Sequence, residues 1–350
     1  MPLLRLPSFL RPPGPAAWLT VAAIQLALLL TPVPAHAKNL SLREALAIPA
    51  ATEAFPPSLP ATPVSLPDDW ALTRPDYEGP VWYRLDFDAR SLDAPLLAAY
   101  VERACSNLEV QLNGHLVYSG GRMNEPVSRN CYHSQLVILP TGLLKPSGNR
   151  LDIKVTGFPL HRVTARQRAA GLSPVMIGPL PAMQALHERQ IFWNLTLAES
   201  VGAMLAVVGV LLLALGRLRK LSHLGYFGLL SCLWAALTAR LWWRDIPLGN
   251  ASVELLICTG FAPVAASIVL FLLRYAGYAR DRRIDVALWL QCLAAPLALA
   301  LAGADHLFEA AMLWYALFGL EVLAAIVAFL HRSWQERSRD FWVMAGILCL

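Results

Sequence analysis

Charge is scarce in this chain. Asp, Glu, Lys and Arg make up 15% of its 350 residues while hydrophobic residues make up 56%, against roughly 25% and 45–50% in soluble domains. That balance, with a mean hydropathy of +0.48, excludes a wholly soluble globule and a disordered chain alike. Cysteine is sparse at six residues, which excludes a disulfide framework. None of the cysteines or histidines falls into four-ligand zinc spacing, so no metal site is expected. Gly120-Gly121 has no Lys-Ser/Thr or helix after it, which excludes a phosphate loop. The net charge of +5 is not gathered into a basic block interleaved with aromatics, which excludes nucleic acid as a partner. No histidine or carboxylate motif of a membrane acyltransferase or protease is present, so no catalytic residue can be named.

What the sequence does have is long apolar runs. They occupy 195–216, 221–243, 253–273, 284–303 and 310–330, and a sixth opens at Phe341. Each of the five has about 20 residues, enough for a helix to cross the ~30 Å hydrocarbon layer. Basic residues collect in alternate connections: Arg217, Arg219 and Lys220, then Arg274, Arg280, Arg282 and Arg283, then Arg332, Arg337 and Arg339. The intervening connections hold Arg244 in one and Asp305, His306 and Glu309 in the other. Since cytoplasmic loops carry the Lys/Arg excess, the first helix is expected to enter from outside, placing residues 40–190 outside the cytoplasm. The amino terminus gives the same orientation. Arg5 and Arg11 precede an apolar stretch over 16–30 and then Thr31-Pro-Val-Pro-Ala35-His36-Ala37, a secretory signal with cleavage expected after Ala37. An uncleaved anchor stays open. The expected location is a bacterial inner membrane, with the soluble part in the periplasm and membrane lipid around the helices.

Residues 38–67 are rich in Pro and Ala and read as an extended lead-in. From 68 to 181 the pattern is that of strands between turns. Period-two alternation marks 81–87, further strands are expected at 98–104, 108–112, 115–118, 135–139, 150–156 and 174–177, and Asn113-Gly114 marks a tight hairpin. The expected fold is therefore multidomain: an all-β sandwich, a juxtamembrane link over 182–194, and a polytopic α-helical bundle over 195–350. Trp70, Trp82 and Tyr83 fit either a sugar-stacking surface or the core of the sheets. Cys105 and Cys131, the exported cysteines, are expected to form a disulfide.

The series Leu66-Pro-Asp-Asp-Trp70, Gly79-Pro-Val-Trp-Tyr-Arg84, Asn107-Leu-Glu-Val-Gln-Leu-Asn-Gly114 and Asn149-Arg-Leu-Asp-Ile-Lys-Val155 resembles the galactose-binding-like jelly roll of the sugar-binding domain of family 2 glycoside hydrolases. Followed by membrane helices, it is similar to bacterial receptors with seven-transmembrane diverse intracellular signalling modules, and more narrowly to proteobacterial sensor histidine kinases. The resemblance implies a carbohydrate-like or other small periplasmic ligand, or a partner protein, and a homodimer. It also implies a cytoplasmic kinase that uses ATP and magnesium and passes phosphate to a response regulator. None of that kinase is in these residues, and the sixth run is cut at Leu350, so the sequence is expected to be the front part of a longer protein.

Candidate binding residues lie in the long polar connection at 122–133: Arg122, Asn124, Glu125, Arg129, Asn130, Tyr132 and His133. Loops on rigid sheets commonly carry binding; the same face also suits packing on another protein or on the membrane block. Charges inside hydrocarbon are costly, which singles out Glu199, Arg240 and Glu321, with Glu254 near the outer end of the third helix. Glu321 fits a proton or cation path or a hydrogen bond across the bundle. Two alternatives to the kinase stay open: a membrane-embedded transferase or transporter with a carbohydrate-binding appendage, and a receptor with a cyclic-dinucleotide output.

Overall fold

The computed structural model describes residues 39–336 apart from 93, 166 and 167. The signal segment and the run opening at Phe341 lie outside the described residues. The chain is sheet-rich first and helical afterwards.

Thirteen strands are described: β1 (Leu40–Leu42), β2 (Glu44–Pro49), β3 (Thr62–Ser65), β4 (Asp68–Asp69), β5 (Gly79–Phe87), β6 (Leu97–Val101), β7 (Ala104–Cys105), β8 (Asn107–Leu112), β9 (His115–Ser119), β10 (Gln135–Leu139), β11 (Asn149–Gly157), β12 (Gly171–Leu172) and β13 (Val175–Pro179). A six-stranded antiparallel sheet runs β3-β2-β5-β11-β8-β9 and a four-stranded one runs β1-β13-β6-β10. The two sheets share one core because alternate side chains point inward. Val81, Tyr83, Leu85, Leu151, Ile153, Val155, Leu108 and Val110 of the larger sheet pack with Leu97, Ala99, Val101, Val137 and Ile177 of the smaller. The hairpin at Asn113-Gly114 has positive φ at both residues, 51° and 87°, as a two-residue turn between twisted strands requires.

The expected lead-in at 38–67 is corrected here, since it supplies β1, β2 and β3. Leu40–Leu42 pairs with β13, and Glu44–Pro49 lies against β5. Ala45 and Ala47 of β2 enter the shared core, and Ile48 packs on the other face with Phe55 and Trp82. The prolines do not prevent it because Pro49 ends a strand and Pro63 stands on the sheet edge, where no ladder donor is lost. Trp70, Trp82 and Tyr83 are fully buried. Trp70 Nε1 donates to the Tyr83 hydroxyl (2.6 Å), which donates to Asp68 (2.6 Å), itself paired with Arg74 at 2.8 Å. Burial and the neighbouring Asp68 push the Tyr83 hydroxyl pKa well up.

After a single helical turn, α1 (Trp70–Thr73), the helices are α2 (Leu180–Ile191), α3 (Leu197–Leu218), α4 (Ser222–Thr238), α5 (Asn250–Tyr275) and α6 (Arg282–Glu336). Helix α2 covers most of the segment expected to be a juxtamembrane link, and it is not free. Its Met183 is fully buried against Ala98 and Tyr100 on the outer face of the four-stranded sheet. A π-turn at Phe192–Thr196 carries it into α3. Among the described residues, four helical segments are long and apolar enough to cross a membrane. The last is two helices, because Gly303 breaks it with φ 75° and ψ 176°. The five apolar runs therefore each have a helix. Helices α3 and α4 touch backbone to backbone: a Cβ on Gly209 would lie 2.8 Å from the Gly228 carbonyl, and one on Gly216 would lie 2.5 Å from the Gly225 nitrogen. Exposed Val207, Val210, Leu211 and Leu218 cover the rest of α3.

Candidate functional site at the domain junction

The connection from β9 to β10 is held in shape by two asparagines. Asn130 Nδ2 donates to Asn107 Oδ1 (2.6 Å) and to the Gly120 carbonyl (2.7 Å), and Asn107 Nδ2 donates to the Arg122 carbonyl (2.8 Å). Gly120 is required, since a Cβ there would lie 2.4 Å from Asn107 Oδ1. The Arg122 N–H donates to Ser128 Oγ (2.9 Å) and the Ser128 N–H to the Arg122 carbonyl (3.0 Å). The base is closed by a disulfide between Cys105 and Cys131, with Cα atoms 4.4 Å apart.

The outer side of this loop meets the membrane helices. The Arg129 N–H donates to the Arg244 carbonyl (2.9 Å), Arg244 Nη2 donates to the Gly120 carbonyl (2.7 Å), and Ser128 Oγ donates to Asp245 (2.5 Å). The Asn250 N–H donates to Glu125 (3.1 Å). At the centre stands Glu254, in the second turn of α5, with its side chain 1% exposed. Its carboxylate accepts from Arg129 Nη2, from Arg168 Nη1 (2.7 Å), from the Thr164 N–H (3.0 Å) and from the Thr164 hydroxyl. Every one of these donors belongs to the β-rich domain. Nearby, Arg162 Nε donates to Asp305 (2.7 Å), just past the Gly303 break. The domain therefore sits on the two helix connections that are poor in lysine and arginine.

A carboxylate this deeply buried is tolerable only when its charge is matched and its lone pairs are filled. Two guanidinium groups and a threonine do both here. Burial lowers the pKa of Arg129, and the adjacent Glu254 counteracts part of that fall. Satisfaction is incomplete around it. Ser106 Oγ, Arg129 Nη1, Asn130 Oδ1, His133 Nδ1 and Arg244 Nε are all buried without a hydrogen-bond partner. Such groups oppose burial by about 1–3 kcal/mol each. The His133 pKa is pushed down to about 4, first by burial and then by the positive Arg244 and by His187. His187, on α2, lies 2.9 Å from Ser134 Oγ.

Of the residues singled out from sequence, Arg122, Glu125 and Arg129 are at this junction. Asn130 is turned inward to brace the loop, Tyr132 and His133 are half-buried beside it, and Asn124 is exposed. Thr164 and Arg168 were not anticipated. A signal for them existed in the basic segment at 161–168, which has the charge opposite to Glu254. Arg240 lies in the turn that ends α4, and Glu199 is on the exposed side of α3. Glu321 accepts from Gln291 Nε2 across the two halves of α6 (2.9 Å).

No family model matches the sequence, and no curated protein matches it. Among solved structures, the chain is similar to a GH2 β-galacturonidase from Eisenbergiella tayi (15% identity, TM-score 0.30), over 40% of this chain and 24% of that one. It is also similar to a β-glucuronidase from Faecalibacterium prausnitzii (17%, TM-score 0.31), over 42% and 32%. A third similarity is to a β-glycosidase from Bacteroides vulgatus (20%, TM-score 0.32), over 41% and 20%. The chain thus spans a third or less of each of these enzymes.

Proposed function

We propose that this chain is the input region of a membrane receptor of the sensor histidine kinase type. Its β-rich domain is a jelly roll in the periplasm, and its helices lie in a bacterial inner membrane. The observation that carries the reading is the grip of Arg129, Arg168 and Thr164 on Glu254, because it joins the exported domain to a membrane helix through charges excluded from water. A second connection runs from the four-stranded sheet through α2 into α3. Binding of a periplasmic small molecule or partner protein shifts the domain on these two supports. The helices then exchange between two packings, in a homodimer whose cytoplasmic domain takes phosphate from magnesium ATP and passes it to a response regulator. The buried groups left without partners oppose docking and so favour its release.

The test uses the complete gene product in lipid vesicles. ATP-dependent histidine phosphorylation should be present, and Glu254→Gln and Arg129→Ala should each shift its level about fivefold or more, the range of ordinary allosteric coupling. Glu44→Gln, at an exposed position of β2, should leave it unchanged. Phosphorylation that ignores both junction variants would sink the coupling role, and absence of histidine phosphorylation would replace the kinase by another output.

A further inference from the structure

The six-stranded sheet carries a second feature, remote from the junction. On its outer face lies a groove of about 340 Å³, a volume in the lower range of small-molecule sites. Its floor is a row across three strands, since Arg84 of β5 stands opposite Asp152 of β11, which stands opposite Gln111 of β8. Arg84 Nε and Nη2 donate to the two oxygens of Asp152 at 2.7 and 2.9 Å, and its guanidinium lies 3.8 Å from the centre of the Phe55 ring. The Asp152 side chain is 3% exposed. An apolar pair at the centre of a sheet face would stabilise as well or better, so a buried ion pair there needs another reason.

Gln111 supplies a second observation. It is 7% exposed; its Nε2 donates to the Glu53 carbonyl (2.8 Å), while its Oε1 has no partner. The rim is cationic, with Lys145 and Arg150 beside the Asn113-Gly114 turn. Arg150 is 63% exposed, and Asp86, the carboxylate paired with it, is 4.0 Å away. The floor is neutral by pairing, and the rim has positive charge to spare.

We infer that this groove binds a compact hydroxylated carboxylate of about monosaccharide size. The ligand carboxylate is held by Lys145 and Arg150, a ligand hydroxyl donates to the Gln111 acceptor, and the Arg84–Phe55 stack forms the flat wall against its body. The inference deepens the receptor reading by naming the ligand class, and rests on that reading only for what binding achieves.

Titration calorimetry on the purified chain in nanodiscs decides it, with D-glucuronate, D-glucose and acetate as probes. Saturable glucuronate binding, at least tenfold tighter than glucose and acetate, is expected. The Lys145→Ala/Arg150→Ala double variant, altered only at the rim and checked for an unchanged melting curve, should weaken it tenfold or more. Absence of saturable glucuronate binding at millimolar concentration overturns the inference. So does full affinity in the double variant, equal affinity for glucose, which removes the anion requirement, or equal affinity for acetate, which removes the hydroxyl. The junction variants are assayed without ligand, so failure here leaves the receptor reading standing and failure there leaves this groove standing.

Discussion

His133 shows how a single residue takes its properties from its surroundings. In the sequence it is a histidine two places after a cysteine; in the fold burial, the positive Arg244 and His187 push its pKa down to about 4 from the ordinary 6.5. The folded chain therefore refuses a proton that the unfolded chain accepts. The stabilisation is whole above about pH 6.5 and is lost progressively as pH falls from there toward 4. Melting temperatures measured over that interval should fall, and His133→Leu should flatten the fall; an unchanged slope would mean that His133 is not the titrating group. Residue-scale roles were only partly legible. Arg129 was conspicuous as a charge on a long loop, whereas Asn130 looked the same on paper and braces the loop from inside. Spacing along a chain does not say which of two neighbouring polar side chains turns inward.

Among the elements, α3 and α4 are the clearest case of sequence chemistry setting geometry. Gly202, Gly209 and Gly216 recur every seven residues and so lie along one helix face. Gly209 meets the Gly228 backbone and Gly202 meets Trp242. Gly209→Leu should cost about 1–3 kcal/mol or more by forcing the helices apart. Gly225→Ala should be tolerated, because a Cβ there meets nothing within 4 Å. Thermal stability in detergent separates the two, and similar losses would refute the close packing. The strands were legible because alternation reports a half-buried sheet directly, as at 81–87 and 150–156. The first three strands were not, since prolines at 49, 56, 57, 60 and 63 mask a pattern that is permissible only because Pro49 ends its strand and Pro63 stands on a sheet edge.

At the scale of the whole molecule, the Cys105–Cys131 bridge ties domain stability to docking, because the 26-residue separation it closes contains the loop that reaches the helices. In the chain-entropy view such a closure is worth about 3 kcal/mol. The Cys105→Ala/Cys131→Ala variant should melt lower and should show faster hydrogen exchange over 120–133. Unchanged exchange there would mean that the asparagine bracing alone holds the loop. The apolar runs and the alternating strands were determined by the sequence itself, because each reflects a local preference for lipid or for a half-buried sheet. The meeting of Glu254 with Arg129 and Arg168, the seating of α2 on the four-stranded sheet and the row Arg84–Asp152–Gln111 were decided only in three dimensions. In each, residues separated by tens of positions become partners because strand pairing and helix packing bring their backbones together, and no local preference encodes that distance.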